Sequence, residues 1–262
     1  MKRPTERFLD VPLGRSRVWE SGSGPVVGYF AGYGGLADWL PLLGKLSANW
    51  KIKAPSLPGF PGGSDSEMLD GHLDWLLSVH DTFVECNLQD TSLIGASVGG
   101  ALAADIAAVW PDEVQKLVLI APFGVFDEGQ PVSDIFAQAP SSGLNELSSK
   151  PERLQEWLSP PDGEDAEDWA IVQLRARVAA ADILWPLGDT GLRKRLARIK
   201  CPTLIIWGGN DNIIPSDYAA EFARKIAGPT RVEIIEGAGH TVEFDASDEV
   251  ERAISQFLAT EF

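Results

Sequence analysis

Thr91-Ser92-Leu93-Ile94-Gly95-Ala96-Ser97-Val98-Gly99-Gly100, followed by Ala101-Leu102-Ala103-Ala104-Asp105-Ile106-Ala107, reads as a strand, a tight turn and an apolar helix. Ser97 stands at the turn. A nucleophile held there needs a strained backbone, and side chains two positions to either side would collide where strand and helix converge. Gly95 and Gly99 remove that collision. The same turn aims the N-terminus of the helix at the serine, so the backbone N–H of Val98 is positioned to donate to a developing oxyanion. Gly-x-Ser-x-Gly alone also describes a glycine-rich turn, in a chain with 26 glycines. The strand before it and the helix after it favour the nucleophile.

Working outward, short runs rich in Val, Ile and Leu recur between helix-like stretches, the pattern of a mostly parallel sheet with helices on both faces. Strands are expected at Arg15–Glu20, Val26–Ala31, Trp50–Ala54, Thr91–Gly95, Lys116–Ala121, Thr203–Trp207 and Arg231–Glu236. Helical spacing of apolar residues predicts amphipathic helices over Leu69–Leu88 and Asp248–Leu258. The alternation stops between Phe126 and Thr190, where Pro131, Pro140, Pro151, Pro160 and Pro161 punctuate short helical pieces and a longer helix is expected over Asp165–Leu184. Strand rhythm resumes at Pro202. The chain therefore reads as one α/β core, residues 1–125 and 191–262, with a helical cap inserted at 126–190.

A serine hydroxyl is a poor nucleophile until a base takes its proton. Three histidines are available. His72 and His80 lie on the Leu69–Leu88 helix and read as packing or surface residues. His240 follows a strand directly, in Glu236-Gly237-Ala238-Gly239-His240-Thr241, where a loop presents side chains to a site. The imidazole in turn needs a carboxylate to hold its tautomer. Thr203-Leu204-Ile205-Ile206-Trp207-Gly208-Gly209-Asn210-Asp211 delivers Asp211 at a strand's carboxyl end, where open α/β sheets place their sites. Asp211 also suits a turn or helix cap ahead of Pro215, and Asp127 is the second candidate for the acid.

Composition narrows the partners. Lys and Arg total 22 against 38 Asp and Glu, a net charge of −16, which argues against nucleic acid. Between Phe126 and Thr190 there are thirteen acidic and four basic residues, a net of −9. Cys86 and Cys201 suggest no disulfide framework and read as buried thiols in a reducing, cytoplasmic setting. Residues Met1–Asp10 are charged and lack the apolar run of a signal peptide. The longest apolar stretch, Leu117–Phe126, is too short to span a bilayer. The expected partner is a small-molecule substrate, and a homo-oligomer is compatible with the sequence.

These residues resemble the α/β-hydrolase superfamily, in its capped esterase, lipase-like and carbon–carbon bond hydrolase branch. Serine, aspartate, histidine is that fold's order along the chain. Phe30-Ala31-Gly32-Tyr33-Gly34-Gly35 resembles the family's oxyanion loop, with Ala31 in place of its histidine. The resemblance implies a second oxyanion donor at the backbone N–H of Tyr33, supported by Gly32 and Gly34, with Gly34 as the alternative donor. Ala54-Pro55-Ser56-Leu57-Pro58-Gly59-Phe60-Pro61-Gly62-Gly63-Ser64 resembles the family's Asp-x-Pro-Gly-x-Gly-x-Ser segment, with Ser56 in place of the aspartate.

The implied activity is hydrolysis of a carboxylic ester of a small neutral or hydrophobic substrate through an acyl-enzyme on Ser97, needing no metal or cofactor. The alternative is a carbon–carbon bond hydrolase acting on a vinylogous diketone acid. Ala96, Val98 and Thr241 depart from that subgroup's usual Asn, Met and Trp, and only Arg175 and Arg177 could meet an anionic substrate inside the cap. A further alternative is a ligand-binding protein on the same fold with an idle triad. Trp157, Trp169 and Trp185 could line an acyl pocket or simply pack the cap.

Overall fold

The structure is a computed structural model that describes residues 3–138, 140–185 and 189–262, with the side-chain surroundings of 140–142 outside the description. Eight strands form one sheet in the order β1-β2-β4-β3-β5-β6-β7-β8. They are β1 (Thr5–Val11), β2 (Gly14–Ser21), β3 (Val26–Phe30), β4 (Lys51–Pro55), β5 (Thr91–Ala96), β6 (Val114–Ile120), β7 (Thr203–Gly208) and β8 (Thr230–Ile235). The β1–β2 and β2–β4 pairs are antiparallel, and every pairing from β4 through β3 to β8 is parallel.

Central strands read as continuous apolar runs because both of their faces are covered. All six residues of β7 are buried, as are the last four of β5 and of β6. The first strand is an addition to the sequence reading. Thr5–Val11 pairs with β2 alone; its inward face carries Arg7, Leu9 and Val11 while Phe8 is exposed on the other, so the apolar residues do not mark the alternation of burial.

Helix α1 (Pro41–Leu46) packs against α9 (Ser247–Ala259), while α2 (His72–Glu85) packs beside α3 (Ser97–Val109), which lies along β5 and β6. The face of α2 predicted from spacing is the face that buries Trp75, Leu76, Val79 and Phe83. The helix is shorter than Leu69–Leu88 because Gly71 is extended at its start and Asn87 turns left-handed, φ 52°, just past its end. The remaining core helix, α7 (Tyr218–Lys225), lies against β7 and β8.

Between β6 and β7 the described residues form helices and turns only: α4 (Pro140–Leu147), α5 (Pro151–Trp157) and α6 (Ala166–Ile183). Pro151 opens α5 at a position where a missing N–H costs nothing. Asp165 caps α6 by accepting from the backbone N–H groups of Glu167 and Asp168, a contact worth about 1 kcal/mol. No helix of the described residues is long and apolar enough to cross a membrane. Both cysteines are buried, and burial pushes the Cys86 thiol up to about 12 and Cys201 up to about 11, which leaves them unreactive.

Candidate active site

Strand β5 ends at Ala96 and α3 begins at Ser97 with no intervening loop, so the serine absorbs the whole change of direction. Its φ is +50°, a left-handed conformation that costs a non-glycine residue about 1–3 kcal/mol. The flanking glycines explain how the backbone can do this. A Cβ on Gly95 would sit 2.5 Å from the carbonyl oxygen of Gly99, and one on Gly99 would sit 2.3 Å from that of Ala31. Both distances are impossible for a real side chain.

The structure brings together the three residues singled out from the sequence. Ser97 Oγ lies 2.8 Å from His240 Nε2, and His240 Nδ1 lies 2.9 Å from Asp211 Oδ2. An ionised aspartate can only accept, so Nδ1 carries the proton and Nε2 is left to accept from the serine hydroxyl. Asp211 is itself locked: its Oδ1 accepts from the backbone N–H groups of Ile213 and Ile214, at 2.8 and 2.9 Å, in the turn that follows β7. The side chains of His240 and Asp211 are inaccessible to solvent, and the edge of Phe123 covers the imidazole at 5.4 Å between ring centroids. Asp127, the second candidate acid, is exposed and uses its Oδ1 to accept from the backbone N–H of Gly129.

His240 sits on the loop after β8, and that loop is held from behind. Asp245, buried in α8 (Val242–Asp245), accepts from the backbone N–H of Gly239 at 2.8 Å and from that of Ser149 at 2.8 Å, as well as from the Ser148 hydroxyl. The backbone N–H of Thr241 donates to the carbonyl of Leu147 at 2.8 Å. The loop carrying the imidazole is thereby tied to the end of α4. Sequence reasoning missed Asp245, since nothing local marks a carboxylate five residues past the histidine as buried.

Val98 is the second residue of α3, in the first turn, where N–H groups lack intrahelical partners. Gly32 lies so close to the serine that a Cβ on it would come 3.1 Å from that of Ser97. Gly32, Tyr33 and Gly35 share with Ser97 and His240 the walls of a small inner chamber, and the Gly35 N–H closes a turn onto the Gly32 carbonyl at 3.0 Å. Gly34 has φ +81° and faces the outer side of that turn, where Gln173 and Leu158 approach it.

A second, larger cavity of about 830 Å³ lies under the insertion and shares Tyr33, Leu147 and Leu158 with the inner chamber. Its walls are mostly apolar, with Ile135, Phe136, Leu144 and Leu174 among them. Arg177 also reaches this cavity, but its guanidinium already donates to the carbonyls of Ile135 and Phe136, at 3.0 and 2.7 Å. Arg175 is exposed. Of the three tryptophans in the insertion, Trp157 lines the inner chamber, Trp169 is buried with its indole N–H on the Leu158 carbonyl, and Trp185 is exposed. The remaining histidines have structural partners: His72 meets Asp105 at 2.7 Å, and His80 stacks on Trp110 and meets Glu113 at 2.9 Å.

Burial works to lower the pKa of His240, but the charge of Asp211, its hydrogen bond and the charge of Glu243 together raise it above the ordinary 6.5. Glu243, on α8 and facing the same chamber, is itself pushed up to about 7, chiefly by burial. A base is useful only when unprotonated, so its raised pKa moves the loss of activity upward in pH. We expect the acid limb of kcat/KM on an uncharged ester to have its midpoint above 6.5, and a pH–rate profile checks this.

Comparison with known proteins bears on the family and the fold. The Alpha/beta hydrolase family pattern matches residues 27–253. The chain is 27% identical over 241 residues to monoacylglycerol lipase ABHD6 of Homo sapiens, covering 85% of this chain and 71% of that protein. It is 24% identical over 271 residues to 2-hydroxy-6-oxo-6-phenylhexa-2,4-dienoate hydrolase of Burkholderia cepacia, covering 95% and 90%. A crystal structure of a serine hydrolase involved in carbazole degradation superposes with a TM-score of 0.76 at 21% identity, over 98% of this chain and 99% of the other. With a mostly parallel eight-stranded sheet, a serine on a strained strand-to-helix turn and a match over most of its length, the chain belongs to the α/β-hydrolase family.

Proposed function

We propose that this α/β-hydrolase is a serine esterase acting on a small neutral or hydrophobic carboxylic ester, with Ser97 as nucleophile, His240 as base and Asp211 as the acid that orients it. The observation that carries the reading is the unbroken chain of hydrogen bonds from Ser97 Oγ through the imidazole to Asp211. As Ser97 Oγ attacks the ester carbonyl carbon, its proton passes to His240 Nε2 and the carbonyl oxygen becomes an oxyanion. The backbone N–H groups of Val98 and Tyr33 are the proposed donors to that oxygen, each worth about 3–4 kcal/mol of barrier. The intermediate collapses, the carbon–oxygen bond to the alcohol breaks, and His240 returns its proton to the leaving oxygen. Water, deprotonated by His240, then attacks the acyl-serine and regenerates the hydroxyl. Residues 126–190 act as the cap over this chemistry, and the apolar outer cavity takes the acyl chain.

Carbon–carbon bond hydrolysis is the second reading, since several relatives are named as hydrolases of 2-hydroxy-6-oxo dienoates. The surroundings favour the ester. A dienoate brings a carboxylate, and the cation that reaches the outer cavity, Arg177, already serves three backbone carbonyls, while Glu243 faces the inner chamber. The insertion around the cavity carries a net of −9.

A two-part experiment tests the reading. A fluorophosphonate probe is expected to label Ser97, as it does not label an unactivated serine. Short p-nitrophenyl esters are then expected to turn over faster than a dienoate ring-cleavage product. The opposite preference would replace the ester reading with the carbon–carbon one, and absence of labelling would leave a binding protein on a hydrolase fold.

A further inference from the structure

The inner chamber beside Ser97 holds polar groups that the proposed reaction does not use. Tyr29, on β3, is fully buried, and its hydroxyl has no hydrogen-bond partner among the described residues. The indole N–H of Trp157, on α5, is likewise buried and without a partner among them. Glu243 is 8% exposed, and no side-chain donor meets its carboxyl group among the described residues. All three side chains line the same chamber, which otherwise has apolar walls that include Leu36, Leu40 and Phe244. A polar group left unmatched in such surroundings is costly, and a pocket of apolar walls with a few convergent polar groups is the usual form of a ligand site.

The donors and acceptors restrict what fits. The Trp157 N–H can only donate, the Tyr29 hydroxyl can donate or accept, and the Glu243 carboxyl, pushed up to about 7, accepts when ionised and can also donate when protonated. A carboxylate on the ligand would face Glu243 with Asp211 close behind the imidazole. An ammonium has no lone pair to offer the Trp157 N–H, which would stay unmatched. A neutral hydroxyl matches, donating to Glu243 and accepting from Tyr29 or Trp157. Size agrees, because the chamber has about 30 Å³ of room, enough for one or two water-sized groups and too little for an alkyl chain.

We infer that Tyr29, Trp157 and Glu243 form a subsite for a hydroxyl group on the alcohol half of the substrate. The alcohol half is assigned by the chemistry. His240 hands its proton to the leaving oxygen, so that oxygen lies on the imidazole's side, and Thr241, Glu243 and Phe244, which directly follow His240, wall the chamber there. The acyl half is left with the 830 Å³ apolar cavity. The substrate class is then an ester of a small polyhydroxy alcohol with an apolar acid. This inference rests on the ester reading given above.

The test compares 2-hydroxyethyl butyrate with propyl butyrate, which differ by O–H against CH₃, with kcat/KM followed by titration of released acid. The wild-type enzyme is expected to prefer the hydroxyl ester by tenfold or more, because a site built for a hydroxyl rejects the analogue that lacks it. Tyr29→Phe and Glu243→Met should each bring the ratio most of the way to one, and Glu243→Gln, which can still bond a hydroxyl, should restore part of it. The ratio is internal to each protein, so a variant that folds in lower yield still reports. A ratio near one in the wild type, meaning a chamber that holds solvent only, or a ratio untouched by both substitutions, overturns the subsite alone. Hydrolysis of neither ester overturns the ester reading and the subsite with it.

Discussion

Ser97→Ala is expected to lower kcat for ester hydrolysis by about 10⁴- to 10⁶-fold and to abolish fluorophosphonate labelling. In the proposed mechanism the residue supplies the atom that bonds to the substrate, and among the described residues Ser97 Oγ is the hydroxyl that meets His240 Nε2, at 2.8 Å. Residual turnover above the uncatalysed rate should remain, since the proposed oxyanion donors are backbone groups that the substitution leaves in place. The protein should stay folded, because the left-handed backbone at φ +50° is enforced by β5, α3 and the glycines around them, not by the hydroxyl. Relief of that strain is measurable. Ser97→Gly should melt higher than Ser97→Ala, by an amount corresponding to about 1 kcal/mol, because glycine alone adopts such a φ freely. Turnover above a hundredth of wild type in Ser97→Ala would remove the serine from the chemistry.

Asp211→Asn should cost about 10⁴-fold in kcat near neutral pH, through the tautomer of His240 more than through lost charge. The reasoning depends on how the aspartate is held. Its Oδ1 is pinned by the N–H groups of Ile213 and Ile214, so an asparagine keeps its oxygen there and turns its amide nitrogen toward His240 Nδ1. That nitrogen donates. The imidazole must then carry its proton on Nε2, where it can no longer accept from Ser97. Steady-state kinetics with a melting curve checks this: activity should fall by orders of magnitude while the melting temperature moves little. A loss of less than tenfold would show that another group orients the base.

Much of the fold was legible because its decisive signals are local. The Gly95-Ala96-Ser97-Val98-Gly99 turn has a steric cause contained in five residues, and the central strands β5, β6 and β7 announce themselves by being apolar on both faces. Two of the prolines that mark the insertion, Pro140 and Pro151, open helices there. What escaped is what depends on distant residues meeting. Strand β1 is charged and lies at an edge, with Arg7 on its inward face and Phe8 on its outward one, so its apolar residues show no rhythm. Tyr29 reads as one more core aromatic of β3 until the structure leaves its hydroxyl without a partner. Glu243 and Asp245 lie in a helix of four residues, too short for periodicity, and only the folded chain shows that one faces the serine's chamber and the other holds the histidine's loop.

Engineers who exchange insertions between related hydrolases to change selectivity will meet a constraint here. Asp245 belongs to the core, yet two of its three donors, Ser148 and Ser149, arrive with the segment being exchanged. Grafting a foreign segment that lacks the Ser148 hydroxyl and displaces the Ser149 backbone leaves the buried carboxylate with the Gly239 N–H alone among these donors, and the expected casualty is turnover on every substrate alike, not a shift among them. A chimera that retains residues 147–150 from the host should keep its general rate and vary only in what it accepts.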